Sequence, residues 1–593
     1  MMISEKHAHI LQNEPAYQRY LQWLNDSYFD AATQAELRGI ENRPEAILDR
    51  FGSSLSFGTG GLRGLIGAGT NRINVYTVAQ ATEGLADYLL EQFAGTCDQG
   101  VVISYDSRLF SAYFADIAAG ILCRRGIPVR LAGSLHPVPV LSFAIRHFRA
   151  AAGIMITASH NPAAYNGYKV YGMDGGQITL AAAWAIQTAI RKIDDLRNLC
   201  WLSVTQALET GLLTFWGKDV DRAYCDYLLA NRIMPEQAGL LAGLKIVYTP
   251  LHGTGAELIP EILHLAGCRQ VMVVAEQSGP DSFFSTVRVP NPENPDALQL
   301  AARLAVKQKA DLALGTDPDS DRIGVLARSD DGDLHPLTGN QIGLLLMEFI
   351  LRNRARQNRL PAGSFCVTTL VSTKLARLIA QAYQIELQET LTGFKFIGER
   401  IRRYDEEGGQ TFIFGFEESF GYLAGTAVRD KDAIQAALLI AEMAAEAKEQ
   451  GETLIRRLNR LYRQYGYAAE DTLSFEWAGL TGLQNIQSVM DGLRGQNFQK
   501  CGSLLNGVPI IRFRDFLLSD EAATGFPPAD VLFWEMGGPL NCDWICARPS
   551  GTEPKLKVYC GAYDHDPSAA KARLELFKNG INDLVDHLQD LNR

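Results

Sequence analysis

Six short apolar runs, at residues 101–105, 153–157, 244–249, 271–275, 311–315 and 365–370, constrain this chain most. Many of them are separated by stretches of helical periodicity, such as 78–93, 180–193 and 431–448. A run that is apolar at every position, not at every second one, needs cover on both faces of its sheet. Parallel strands also need a long crossover, usually a helix. The alternation therefore predicts mostly parallel sheets layered with helices, the α/β class. At roughly 100–200 residues per domain, a chain of 593 residues is expected to hold several domains.

The pattern changes at both ends. Tyr17, Tyr20, Leu21 and Leu24 recur at helical spacing, which predicts a helical N-terminal extension. From about residue 505 the chain reads as strands, a polar loop at 548–555 and a terminal helix over 568–588, an α+β closing domain. Linkers are placed near 200–214, 330–337 and 465–482. The resulting division is an extension at 1–50 and domains at 51–210, 211–332, 333–470 and 471–593.

Composition excludes some classes. With 47% hydrophobic residues the chain can fill several cores, so disorder throughout is excluded. The net charge of −11 lacks the basic field of a duplex-binding surface, so no nucleic acid partner is expected. A local basic pocket for an anionic metabolite remains compatible with it. Ten cysteines are scattered; the close pair Cys542 and Cys546 has no second pair or His beside it, so no zinc site is expected. The opening MMISEKHAHILQNEP carries charges where a signal peptide needs an apolar stretch. The most apolar run, 342–351, is too short to span a bilayer and contains Glu348. These features read as a cytoplasmic protein with reduced thiols and no membrane partner.

Five polar segments carry chemistry. Thr157-Ala158-Ser159-His160-Asn161-Pro162, then Asn166-Gly167-Tyr168-Lys169, follow an apolar strand directly. Ligands of α/β sheets bind at such strand ends, and Asn-Pro and Asn-Gly force tight turns that would expose Ser159 and His160. A Ser there can carry a phosphoryl group; alone, the pair is also ordinary turn chemistry. Gly315-Thr316-Asp317-Pro318-Asp319-Ser320-Asp321-Arg322 places three carboxylates on alternate residues, which suits a hard cation. An EF-hand fails here, since the sixth position is Arg322 and the twelfth Arg328. A solvated acidic turn is the alternative, and the leading strand and Pro318 favour a metal loop. Arg548-Pro549-Ser550-Gly551-Thr552-Glu553-Pro554-Lys555 could cradle a phosphate dianion or be an exposed turn. Gly415-Phe416-Glu417-Glu418-Ser419-Phe420-Gly421, with Arg429-Asp430-Lys431-Asp432, suits sugar hydroxyls; Thr392-Gly393-Phe394-Lys395 is another glycine-hinged polar turn.

The fifth segment, Phe57-Gly58-Thr59-Gly60-Gly61-Leu62-Arg63-Gly64, fails as a dinucleotide fingerprint because the third required Gly falls on Arg63. No Gly-x4-Gly-Lys-Ser/Thr loop exists; Gly217-Lys218 is followed by Asp219. No Gly-x-Ser-x-Gly elbow occurs either.

These segments, in this order, resemble the α-D-phosphohexomutase superfamily from about Phe57 to the C-terminus. The loop Phe416–Gly421 is similar to the Glu-Glu-Ser-Phe-Gly type of the phosphoglucomutases, not to the Gly-Glu-Met-Ser type of bacterial phosphomannomutases. The N-terminal extension and the run from Gly58–Arg63 through Gly67-Ala68-Gly69-Thr70-Asn71-Arg72 look like the branch containing bacterial α-phosphoglucomutases and animal phosphopentomutases. The metal loop departs from many members in lacking Gly between its aspartates. The resemblance implies four domains around a central cleft, three α/β with mixed sheets and a C-terminal α+β domain. It implies that Ser159 is phosphorylated, and that Asp317, Asp319 and Asp321 hold Mg²⁺ with a phosphoserine oxygen of Ser159. Lys169 resembles the general base, and Arg63, Arg322 and His160 would line the transfer site. Glu417 and Ser419 would bind sugar hydroxyls, and Thr392, Gly393, Lys395 and Lys431 would also bind the substrate. Arg548, Ser550, Gly551, Thr552 and Lys555 would hold the phosphate that is not reacting. The implied activity is a phosphoglucomutase working on a phosphosugar through glucose 1,6-bisphosphate, as a monomer or weak dimer. Phosphopentomutase, phosphomannomutase and glucose-1,6-bisphosphate synthase activities are the alternatives.

Overall fold

The first six strands are β1 (Leu62–Leu65), β2 (Val101–Tyr105), β3 (Val129–Ala132), β4 (Ala152–Ile156), β5 (Tyr165–Gly172) and β6 (Leu213–Trp216). They form one sheet in the order β1-β5-β4-β2-β3-β6. The run from β4 through β2 and β3 to β6 is parallel, whereas β5 is antiparallel to β4 and β1. The structure is a computed structural model that describes residues 14–58, 60–92, 97–235, 238–477, 482–495, 504–518, 525–550 and 555–591.

Both faces of this sheet are covered, as its continuous apolar strands require. Val101, Ile103, Ile154 and Ile156 pack with Leu85, Phe114, Ile117 and Ile186 from helices Val75–Gln92, Ser111–Arg124 and Leu180–Arg191. Helix Val138–Phe148 packs on β2 and β4 as well. It approaches so closely that a Cβ on Gly153 would meet Ile145 Cδ1 at 2.2 Å, so a larger residue there would force the Ile145 side chain to move.

The expected helical extension is three helices, Pro15–Asn25, Ala31–Arg38 and Pro44–Phe51. Tyr20, Trp23, Phe29 and Phe51 gather around Tyr76 of helix Val75–Gln92 in a core of their own.

The second sheet comprises β7 (Lys245–Thr249), β8 (Gln270–Val273), β9 (Leu312–Thr316), β10 (Ile323–Arg328) and β11 (Leu334–Leu337), in the order β11-β10-β9-β7-β8. Strand β7 runs parallel to both β8 and β9. The chain divides into two compact units, and it leaves the first at Leu326, within β10. Two later segments, Gly398–Glu406 and Gly425–Glu442, also belong to the first unit. Buried side chains fasten the latter: Tyr224 OH donates to Asp432 at 2.7 Å, and Arg232 pairs with Glu442 at 2.9 Å.

The second unit holds two sheets. One comprises β12 (Ser364–Thr369), β13 (Glu386–Thr390), β14 (Thr411–Glu417) and β15 (Gly421–Ala424), in the order β13-β12-β14-β15. Strand β12 is parallel to β13 and β14, and β14 and β15 form an antiparallel hairpin. The other is antiparallel, with β16 (Tyr467–Glu476), β17 (Leu504–Leu505), β18 (Val508–Asp515), β19 (Leu532–Met536), β20 (Trp544–Pro549) and β21 (Lys555–Asp564) in the order β16-β21-β20-β19-β18-β17. Helices Gly482–Gly495 and Pro567–Leu591 pack Ile486, Val489, Phe577, Ile581 and Val585 onto it. Three α/β layers with mixed sheets and a β-rich closing layer are thus present.

Two boundaries differ from the sequence expectation. The first sheet runs past residue 210 to Trp216, because β6 pairs with β3 inside the segment taken as a linker. The segment expected to link at 465–482 instead supplies β16, an edge strand paired along its length with β21. Its residues are half-buried or exposed throughout, so no apolar run marks it. Cys542 and Cys546 are both free and buried. Among the described residues no helix is long and apolar enough to cross a membrane.

Candidate active site

Strand β4 delivers the chain to Ser159. Its Oγ donates a 2.6 Å hydrogen bond to Asp317 Oδ2 and lies 3.1 Å from His160 Nδ1. The turn is tight: Ser159 has φ +50°, and its amide donates to Thr157 Oγ1 at 2.8 Å. Ser159 is buried, so the turn does not expose it as the sequence suggested; it points the hydroxyl into a carboxylate cluster.

That cluster is the loop between β9 and β10. Oxygen atoms of Asp317, Asp319 and Asp321 lie within 4.8 Å of one another, and all three residues are buried. Asp317 Oδ1 accepts the amides of Asp321 at 3.1 Å and Arg322 at 3.0 Å, so the loop wraps around its own first carboxylate. Asp319 Oδ1 and Asp321 Oδ1 are buried without a hydrogen bond. A buried carboxylate oxygen with no donor is costly unless a cation meets it. Three convergent carboxylates with two such oxygens fit a hard divalent ion.

Cations surround the cluster. Lys169 Nζ, from β5, is 2.8 Å from Asp319 Oδ2 and 3.6 Å from Asp321 Oδ2. Lys431 Nζ lies 3.2 Å from Asp321 Oδ2. Expected to bind substrate, Lys431 stands beside the carboxylates of the first unit. Arg322 Nε is 3.8 Å from Asp321 and its guanidinium also pairs with Glu293. Arg63, in β1, donates to Asn161 Oδ1 at 3.0 Å.

The charges shape each other. Burial, then Asp319 and Asp321, push the Asp317 carboxyl well above its ordinary range. Burial acts the same way on Asp321, but Lys431, Lys169 and Arg322 outweigh it and hold that carboxyl low. Burial pulls the Lys169 ammonium down, yet Asp319 and Asp321 more than offset it, so the net shift is upward. Burial, Arg322 and Arg63 push the His160 imidazole well below its ordinary value, which leaves it neutral at neutral pH.

The second unit places the other expected residues. Glu417 ends β14, and its Oε1 accepts the amide of Gly393 at 2.8 Å, tying the 392–395 turn to the β14–β15 hairpin. Gly393 has φ +121°, which favours glycine. Thr392 precedes it, and Lys395 Nζ sits 4.8 Å over the ring of Phe396. Ser419 lies at the hairpin tip beside Glu418, whose Oε2 accepts from Thr369 at 3.1 Å. Burial and Glu417 raise the Glu418 carboxyl to about 7, although Arg548 acts to lower it. Arg548 is near the end of β20; beyond it, the Ser550 amide donates to Lys555 O at 2.7 Å, and Lys555 pairs with Glu476 at 2.9 Å. Gly551 and Thr552 lie outside the described residues.

Sequence reasoning missed Asp106 and Arg108, which follow β2 and are both buried. Asp106 Oδ2 accepts from Thr157 Oγ1 at 2.6 Å, and the Arg108 guanidinium holds carbonyls of the Ser159 turn. Charged residues just past an apolar strand were the available signal.

A serine set against a buried acidic cluster ringed by lysine and arginine, at strand ends of α/β sheets, defines a phosphoryl-transfer enzyme. The phosphoglucomutase/phosphomannomutase family models match residues 54–197 (α/β/α domain I), 222–330 (domain II) and 338–465 (domain III). The chain belongs to this family of intramolecular phosphotransferases, within the α-D-phosphohexomutase superfamily that its motifs resemble. It is 36% identical to a phosphoglucomutase of Staphylococcus epidermidis over 94% of this chain and 100% of that one. It is 36% identical to one from Staphylococcus aureus over 88% and 91%. The open form of parafusin, a phosphoglucomutase from Paramecium, shares the fold, with a TM-score of 0.66 at 17% identity over 90% of this chain and 96% of that one.

Proposed function

We propose that the chain interconverts α-glucose 1-phosphate and glucose 6-phosphate, with Ser159 as the phosphoryl carrier. The observation that carries this is the 2.6 Å contact of Ser159 Oγ with Asp317, inside the acidic triad. The likeness to phosphoglucomutases along nearly the whole chain supports the hexose assignment.

In the first half-reaction the bond from phosphorus to Ser159 Oγ breaks as a bond to the free sugar hydroxyl forms. Lys169, held as an ammonium by Asp319 and Asp321, must first release a proton to solvent; as the free amine it takes the hydroxyl proton, and Ser159 Oγ leaves with the bonding pair. The product is glucose 1,6-bisphosphate. It turns, and its other phosphoryl group passes back to Ser159 by the reverse of these steps. Positioning and charge neutralisation dominate such transfers. Arg63, Arg322 and neutral His160 donate to the phosphoryl oxygens. Asp317, Asp319, Asp321 and a Ser159 phosphoryl oxygen would hold Mg²⁺, which supplies further neutralisation of that group's charge. Glu417 and Ser419 accept and donate hydrogen bonds to sugar hydroxyls, with Thr392, Gly393, Lys395 and Lys431 bordering the sugar. Arg548, Ser550 and Lys555, with Gly551 and Thr552, hold the resting phosphate.

The test is turnover of glucose 1-phosphate and ribose 1-phosphate, each with and without glucose 1,6-bisphosphate. Preference for the hexose, with stimulation by the bisphosphate, is expected. Preference for the pentose, or bisphosphate synthesis from an acyl phosphate without isomerisation, would overturn the assignment.

A further inference from the structure

We infer that Arg108 is the positioning residue that sets Ser159 for phosphoryl transfer; this rests on the reading of Ser159 as phosphoryl carrier. The Arg108 side chain is fully buried. Its Nη1 donates to the carbonyls of Pro162 at 2.9 Å and Tyr165 at 3.0 Å. Its Nη2 donates to the carbonyls of Ser159 and Asn161. One planar guanidinium has five N–H donors, and here its two terminal nitrogens serve four carbonyls of a single turn. The fifth donor, on Nε, makes no hydrogen bond, but Nε lies 3.4 Å from Asp106 Oδ2 as an ion pair, and the centre of the Phe284 ring is 4.9 Å from the guanidinium carbon.

The consequence falls on Ser159. Its φ of +50° is a region that residues other than glycine seldom occupy. Its carbonyl is held by Arg108 and its amide by Thr157 Oγ1, and Thr157 is anchored in turn on Asp106. Ser159 Oγ is therefore aimed at Asp317 by groups that touch neither substrate nor phosphate. Four carbonyl oxygens that would repel a phosphoryl group are turned onto a cation instead. The main-chain hold on the turn makes no use of the Ser159 hydroxyl, as a carrier used in both half-reactions requires. A lysine offers three donors from one point and cannot span four carbonyls.

The test uses Arg108→Lys and Arg108→Ala in the full-length protein, with melting temperature, kcat, KM and Ser159 phosphorylation measured together. A positional error of about an ångström costs on the order of a hundredfold. Arg108→Lys should therefore remain folded and lose kcat by about that factor, with KM for glucose 1-phosphate nearly unchanged. Methylguanidine should restore turnover to Arg108→Ala in a saturable way, which a general loss of stability would not allow. Full kcat in Arg108→Lys, an effect confined to KM, or variants unfolded at the assay temperature and not rescued would overturn the inference. If wild-type Ser159 takes no phosphate from glucose 1,6-bisphosphate, the carrier reading itself fails, a separate result.

Discussion

Lys169 Nζ donates to Asp319 Oδ2 at 2.8 Å, while Asp319 Oδ1 is buried with no hydrogen bond. One carboxylate thus binds the proposed base with one oxygen and offers the other to the proposed cation. On the proposed roles, proton transfer and cation binding share a single side chain, so a change at Asp319 should act on both.

Asp319→Ala is accordingly expected to lower kcat by more than about a hundredfold, since changes even in groups behind metal ligands cost roughly 10–100-fold. Wild-type enzyme stripped of metal should be inactive and recover with Mg²⁺. Undiminished turnover of stripped enzyme in chelator would contradict the cation site.

Ser419→Ala and Arg548→Ala separate sugar recognition from phosphate anchoring. A lost hydrogen bond to a hydroxyl is worth about 0.5–1.5 kcal/mol, up to roughly tenfold, and one to a charged group about 1.5–3 kcal/mol. Ser419→Ala should change the order of kcat/KM among glucose, mannose and ribose 1-phosphates. Arg548→Ala should lower all three by about 10- to 100-fold and keep their order. Reordering by Arg548→Ala alone would reverse the two assignments.

Glu418 makes stability depend on pH. Its carboxyl stands at about 7 in the folded chain against an ordinary 4.5, raised by burial and by Glu417. The folded state therefore binds this proton more tightly than the unfolded chain does. Stability is greatest below the unfolded value and falls as pH rises from about 4.5 to about 7. The loss is on the order of 2 kcal/mol, at 1.36 kcal/mol per pKa unit and with proximity to Glu417 shared between the two groups. Melting temperature from pH 5 to 8 should fall less in Glu418→Gln than in wild type; equal slopes would refute the role of Glu418.

Trp23→Ala tests the helical extension. Trp23 is buried, stacks on Phe29 at 4.3 Å, and meets Tyr76 edge-on at 5.3 Å. Truncation should cost about 3–5 kcal/mol and lower the melting temperature of the first unit. An unchanged melting temperature would show that the extension does not stabilise that unit.

What the sequence disclosed follows from where each signal resides. Strands β2, β4 and β9 are apolar at nearly every position because helices or strands cover both their faces, so their runs stand out. The Asp317–Asp321 spacing is local, and alternate carboxylates after a strand were legible without a fold. Edge strand β16 was not, since Leu473 and Phe475 alternate with polar Thr472, Ser474 and Glu476 and none is fully buried. Arg108 stands just past an apolar strand, but its partners are main-chain carbonyls, which every residue has, so no spacing along the chain pairs it with Ser159. Lys431 reaches Asp321 only because the segment Gly425–Glu442 returns to the first unit, and no spacing along the chain encodes that return.

The central claim is that Ser159 carries the phosphoryl group, and its most direct test is peptide mapping after incubation with glucose 1,6-bisphosphate. One phosphate per chain, located on Ser159 and absent from a folded Ser159→Ala protein whose turnover is down by at least about a thousandfold, is the predicted result. Phosphate on another residue, such as Ser419 or Ser550, or full turnover by Ser159→Ala, would contradict it.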